Sequence, residues 1–193
     1  VRYPTIGGGE RADAQPFFSR RPGLLMAHNG NITNYEQLKN ILFEKSVILS
    51  SNCDIEPVMY IVCDELMKRK EKRFTLDDAV AALRSAYALV KGAYSVVFLM
   101  YLDGEPTMCL FRDPWGIRPA VWAEKDGTYL AASESICMDI LGFSNVQNIA
   151  PGEAIFFRQG KPPIRKTILQ KTPAPCIFEY VYFARPDSIL DND

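Results

Sequence analysis

An α+β fold is what the order of this 193-residue sequence predicts. Apolar residues recur at helical spacing in three stretches between Tyr35 and Val90, whereas from Gly92 onward short apolar runs are broken by Gly, Asp or Pro turns, as strands are. With 48% hydrophobic and 23% charged residues, the chain carries enough apolar side chains for one domain with a substantial core.

The first helix is expected from Asn34, with Tyr35, Leu38, Ile41 and Leu42 on one face and an Asn34-x-x-Gln37 start close to a capping box. A second runs through Val58, Ile61, Val62 and Leu66. Asp54 or Glu56 is available to cap it, Pro57 is tolerated in its first turn, and Lys68, Arg69 and Lys70 suit its carbonyl end. The third follows Thr75-Leu76-Asp77-Asp78, buries Leu76, Val80, Leu83, Tyr87 and Val90, and is expected to stop at Gly92, in the position just past a helix. The last two helices should lie side by side.

Strands are expected over residues 93–101, 107–111, 120–123, 129–132 and 154–157. The unbroken run Val96-Val97-Phe98-Leu99-Met100 predicts a strand covered on both faces, by helices on one side and a second sheet on the other. Lys161-Pro162-Pro163 reads as a turn, and Thr172-Pro173-Ala174-Pro175 as a stiff linker on the approach to another domain.

Charge and composition narrow the function. Lys plus Arg total 22 against 23 acidic residues, a net charge of -1 with no basic stripe to follow a phosphate backbone, so nucleic acid is not expected as a partner. No stretch approaches the roughly 18 consecutive apolar residues of a membrane span. The five cysteines are odd in number and widely spaced, which points to reduced thiols and a cytoplasmic protein. Val1 is preceded by no initiator Met or secretory signal, and Asp191-Asn192-Asp193 carries no tail signal, so both ends are expected to be cuts.

Three groups of residues can carry chemistry. His28-Asn29-Gly30-Asn31 reads locally as a turn between an apolar strand (Leu24 to Ala27) and a helix. It equally supplies a side-chain amide and a backbone N–H, unhindered by a Cβ, that could converge on a developing oxyanion. Arg2, beside Tyr3, is either a surface residue or the planar two-pronged donor that a substrate α-carboxylate requires. Asp54 is either a helix cap or the partner of a substrate α-ammonium.

Together and in order, several blocks carry a family resemblance: Val1-Arg2-Tyr3-Pro4-Thr5, Ala14-Gln15-Pro16-Phe17, Ala27-His28-Asn29-Gly30-Asn31, Asp54-x-Glu56, Arg112-Asp113-Pro114-x-Gly116-Ile117-Arg118-Pro119, Ser133-Glu134-Ser135, Pro151-Gly152-Glu153, and the long block from Ile177-Phe178-Glu179-Tyr180 through Ser188. In these the sequence resembles the class II, N-terminal-nucleophile glutamine amidotransferases, specifically their amidophosphoribosyltransferase branch. The last block separates that branch from relatives that share only the Arg-x-x-x-Thr and His-Asn-Gly blocks.

The resemblance implies a four-layer αββα sandwich truncated at both ends. Residues 1–175 would be the amidotransferase domain without its N-terminal nucleophile segment, and residues 176–193 the start of the connection to an absent phosphoribosyltransferase domain. It implies glutamine and phosphoribosyl pyrophosphate as substrates, Mg²⁺ in the absent domain, and a homo-oligomer. Arg2 and Thr5 would hold the carboxylate side of glutamine, Asp54 its ammonium, and Asn29 with Gly30 the oxyanion; His28, the Arg112–Pro119 block and Ser133–Ser135 are read as structural.

The family's nucleophile is a Cys at the mature N-terminus, and none of the five cysteines here is terminal, so the 193 residues alone are expected to be inactive. Two readings stand for Cys176. It is one ligand of a [4Fe–4S] cluster, as in one branch of the family, or a buried free thiol. Two rival functions also stay open: another class II amidotransferase with a different acceptor, and a pocket that binds glutamine without turning it over.

Overall fold

The computed structural model describes residues 10–69, 73–183 and 188. A six-stranded antiparallel sheet runs in the order β1 (Phe17–Ser19), β2 (Leu24–Ile32), β3 (Gly92–Leu102), β4 (Glu105–Arg112), β8 (Glu153–Phe157) and β9 (Ile164–Thr167). A smaller sheet is ordered β6 (Thr128–Ala132), β5 (Val121–Lys125), β7 (Gln147–Asn148). The helices are α1 (Tyr35–Glu44), α2 (Ile55–Met67), α3 (Leu76–Leu89) and the short α4 (Ile136–Ile140).

Alternation along the strands builds the layers, because successive side chains point to opposite faces. On β4 and β8, Cys109, Phe111, Ala154 and Phe156 face the core shared with α1, α2 and α3, while Leu110, Ile155 and Phe157 face a second core with Ala120 and with Trp122 of the smaller sheet's β5. The other face of β5, Val121 and Ala123, meets Met138 of α4. The result is the expected α-β-β-α stack, and α2 and α3 pack side by side.

The helix starts are only partly as read. Thr75 and Asp78 form a reciprocal capping box on α3. Asn34 and Asp54 occupy the N-cap positions of α1 and α2 but make no cap bond. Asn34 instead donates to the Leu89 carbonyl and accepts from the Lys91 N–H, tying the start of α1 to the end of α3. Glu56, buried in the first turn of α2, accepts from the backbone N–H and hydroxyl of both Ser50 and Ser51, so it braces the preceding loop rather than capping the helix.

Two further expectations are corrected. α3 ends with extended Val90, and Gly92 belongs to β3: its φ of +142° and an Asn31 carbonyl oxygen 2.1 Å from where a Cβ would sit leave room only for glycine against β2. And the second face of β3 is covered only toward its start, where Ser95 is buried and Val97 half-buried. Val96, Phe98 and Met100 are buried beneath the helices, but Leu99 and Tyr101 are 43% and 66% exposed. The second sheet packs over β4 and β8, and among the described residues it leaves the Leu99–Tyr101 end of β3 exposed, so the unbroken apolar run does not mark a strand doubly buried along its length.

Candidate active site on the edge of strand β2

His28, Asn29 and Gly30 do not form a turn. They lie inside β2, in register with Val96, Ser95 and Tyr94 of β3. A Cβ on Gly30 would come within 2.3 Å of the Ala93 carbonyl oxygen, so glycine here permits strand pairing at a distance no other residue allows.

β1 pairs only with Leu24, Leu25 and Met26, so beyond Met26 the side of β2 away from β3 carries no strand among the described residues. Side chains serve its backbone there. The His28 N–H donates to Gln15 Oε1 at 2.6 Å and the Ile32 N–H to Asp54 Oδ2 at 2.7 Å. Period two places the Gly30 N–H on the same edge, between them. Tyr94, opposite Gly30, turns its own N–H and carbonyl the other way, toward Asp113.

Asp54 is fully buried at the head of α2. Its Oδ1 lies 3.2 Å from His28 Nε2, both side chains buried. The other ring nitrogen, Nδ1, meets Gln15 Nε2 at 3.1 Å. Burial pushes the Asp54 carboxyl up, but the facing His28 ring and the Ile32 N–H outweigh it and hold the group below the usual carboxylate range.

The Asn29 side chain sits in a network the sequence did not reveal. Arg118 Nη2 donates to Asn29 Oδ1 at 2.6 Å, and Asn29 Nδ2 donates to Ser133 Oγ at 2.9 Å. Arg118 Nη1 reaches both carboxylate oxygens of Glu179 at 2.7 Å, in the helical turn Glu179–Phe183. Arg118 and Ser133, structural by their motifs alone, lie 89 and 104 positions from Asn29. Only the packing of the small sheet's loops over β2 brings them to it.

The remaining candidates divide cleanly. Arg2 and Thr5 lie outside the described residues. Cys176 is partly buried and unpaired in any disulfide, and among the described residues no three His, Cys, Asp or Glu side chains gather as a metal-binding group. Burial pushes the Cys63 thiol up to about 11 and raises Cys109 and Cys137 as well, whereas a nucleophilic cysteine is held low. No helix among the described residues is long and apolar enough to cross a membrane.

Comparison with known proteins agrees with this geometry. The family described as "Glutamine amidotransferase domain" matches residues 5–139. An amidophosphoribosyltransferase of Escherichia coli (strain K12) is 40% identical over 200 residues, and one of Saccharomyces cerevisiae is 37% identical over 203; each alignment covers all of this chain and 39% of the relative. Among solved structures, the "allosteric regulatory enzyme of purine biosynthesis" superposes with a TM-score of 0.81 at 29% identity, over all of this chain and 39% of that one. The glutamine phosphoribosylpyrophosphate amidotransferase from B. subtilis gives 0.79 at 28% identity with the same coverage. This chain thus spans about 39% of the length of those relatives. With its α-β-β-α layers and its His-Asn-Gly strand, the chain belongs to the glutamine amidotransferase domain family.

Proposed function

We propose that this chain is the glutamine-binding and hydrolysing part of an amidophosphoribosyltransferase. The observation that carries the reading is the Asn29 side-chain amide, held by Arg118 at its oxygen and Ser133 at its nitrogen, next to Gly30 on strand β2. Such donors, fixed before the reaction, stabilise a tetrahedral oxyanion without reorganising.

In a complete polypeptide with a terminal cysteine, the thiolate attacks the γ-carboxamide carbon of glutamine and the carbonyl oxygen takes the negative charge. Asn29 Nδ2 and the Gly30 N–H receive it. Collapse breaks the C–N bond, releases ammonia after protonation, and leaves a γ-glutamyl thioester that water hydrolyses to glutamate. Arg2 and Thr5 hold the substrate's carboxylate side, and Asp54 holds its ammonium, sharing Oδ1 with His28.

The ammonia then displaces pyrophosphate from phosphoribosyl pyrophosphate in a second, Mg²⁺-dependent domain, giving 5-phosphoribosylamine, the first committed step of purine synthesis. What supports this acceptor is the identity of the relatives over the whole chain. Residues 1–175 serve as the amidotransferase domain and residues 176–193 begin the connection; exposed Ile177, Phe178, Val181 and Tyr182 suit a segment that packs on something further. A homo-oligomer in the cytoplasm fits the same reading. The [4Fe–4S] reading of Cys176 draws no ligand set from the described residues, and no step runs through it.

The test is Asn29→Ala in the complete enzyme. Glutaminase turnover should fall roughly 10²- to 10³-fold, about 3 kcal/mol, with ammonia-dependent synthesis preserved. A fall under about threefold removes Asn29 from the oxyanion role. Arg2→Lys should raise the glutamine KM and likewise spare the ammonia reaction.

A further inference from the structure

A primary amide is nearly symmetric in shape but opposite in polarity at its two ends, so an oxyanion donor on an asparagine works only if the nitrogen, not the oxygen, faces the reacting atom. Something must therefore decide which way Asn29 points. Ser133 cannot, because its hydroxyl donates as readily as it accepts. Arg118 can, because a guanidinium only donates, and its Nη2 lies 2.6 Å from Asn29 Oδ1.

We propose that Arg118 is a positioning residue that fixes the polarity of the Asn29 amide, and that Glu179 anchors Arg118 for this task. The inference rests on the reading of Asn29 as the oxyanion donor. With Oδ1 committed to Arg118 and one amide hydrogen to Ser133 Oγ, the second hydrogen makes no bond among the described residues and is the one left for substrate. Without Arg118 the amide is free to turn over and present its electron-rich oxygen to a forming negative charge. The Glu179 carboxylate takes the second arm of the guanidinium, in a partly closed site where both side chains are nearly buried. The segment that leaves the amidotransferase domain is thereby wired to its oxyanion donor through two side chains.

The experiment uses the complete enzyme, with Arg118→Met, Arg118→Lys, Glu179→Gln and Asn29→Ala, and a double variant combining Arg118→Met with Asn29→Ala. Glutaminase kcat, glutamine KM and the urea midpoint are measured for each. Arg118→Met should lower kcat about 10- to 100-fold while KM moves less than about threefold, since the amide acts on the transition state rather than on bound glutamine. Arg118→Lys should lose most of the same factor, because one ammonium cannot serve Asn29 and Glu179 together. Glu179→Gln should lose less, roughly 3- to 10-fold.

The double variant should be no slower than Asn29→Ala alone, because both changes remove one function. Losses that multiply in the double variant would overturn the proposal, as would an Arg118→Lys kcat within about threefold of the parent while Asn29→Ala remains strongly impaired. If Arg118→Met lowers the urea midpoint so far that it no longer folds, the lysine and Glu179→Gln variants decide the matter by the same split of kcat from KM. An unimpaired Asn29→Ala would instead bring down the oxyanion reading itself, a result separate from either failure of Arg118.

Discussion

Two aspartates in this domain, Asp54 and Asp113, are both 0% exposed, yet their carboxyls are pushed in opposite directions. Asp54 heads α2 and faces the His28 ring and the backbone N–H groups of Ile32 and its own residue, and it is held low. Asp113, in the loop after β4, accepts from the backbone N–H groups of Tyr94, Trp115, Ile117 and Arg118. Burial still wins there and raises it, even against those four donors. Its neighbour Arg112 is buried too, but turns its guanidinium to the carbonyls of Gly116, Arg118 and Ile149. Backbone dipoles organise a loop around a buried charge; a nearby imidazole does more for the charge itself. The first arrangement builds scaffold, and the second is the carboxylate we propose meets the substrate's ammonium.

The sharpest way to break this contrast is to remove each carboxylate in turn. Asp113→Ala should cost about 3 kcal/mol of unfolding free energy in urea, because four N–H groups lose their acceptor inside the protein. A loss below about 1 kcal/mol would mean the loop re-satisfies itself. Gly30→Ala comes next, at roughly 1–3 kcal/mol by the same measurement, since the new methyl meets the Ala93 carbonyl, and it should also depress glutaminase turnover in the complete enzyme.

Asp54→Asn should be milder in stability, about 1 kcal/mol, because an amide oxygen can still accept the Ile32 N–H. Its signature should be a glutamine KM raised by at least about tenfold with the ammonia reaction intact. An equal loss in both reactions would sever Asp54 from glutamine.

The smallest effect is a difference in pH dependence. A carboxyl held below its unfolded pKa contributes stability that is present above that pKa and lost as pH falls through the folded value. The stability gap between the parent and Asp54→Asn should therefore be constant near neutrality and close below about pH 4. Asp113 has the opposite sign: its raised carboxyl favours the protonated form, so its contribution is greatest in acid and declines as pH rises through its folded pKa. Urea midpoints from pH 3 to 7 would reveal either slope, and parallel slopes in both variants would erase the distinction.

The fold was largely legible because its signals are local. Thr75 with Asp78 caps α3, the apolar spacing of Val58, Ile61, Val62 and Leu66 falls on the buried side of α2, and the five expected strands appear as β3, β4, β5, β6 and β8, whereas the short β7 and β9 carried no such signal. What was misread depended on neighbours remote in sequence. Asn29 and Gly30 looked like a turn because Asn-Gly is turn chemistry, but β3 pairs with them through residues more than 60 positions away. Asp54 suited a cap until the Ile32 N–H claimed it. Arg118 and Glu179 were visible as motif members and silent as to purpose, since a guanidinium that reads a side-chain amide leaves no periodic trace.

The exposed end of β3 has a practical consequence. Phe18, Leu25, Leu99 and Met108 stand opposite one another across β1 to β4, and the small sheet closes over only the Met108 end of that row. Phe18 and Leu99, with Tyr101 beyond, are left to water beside the short edge strand β1. A biochemist purifying these 193 residues by themselves should budget for stickiness: retention on hydrophobic resins, losses on concentration, and better behaviour in a little mild detergent than in added salt.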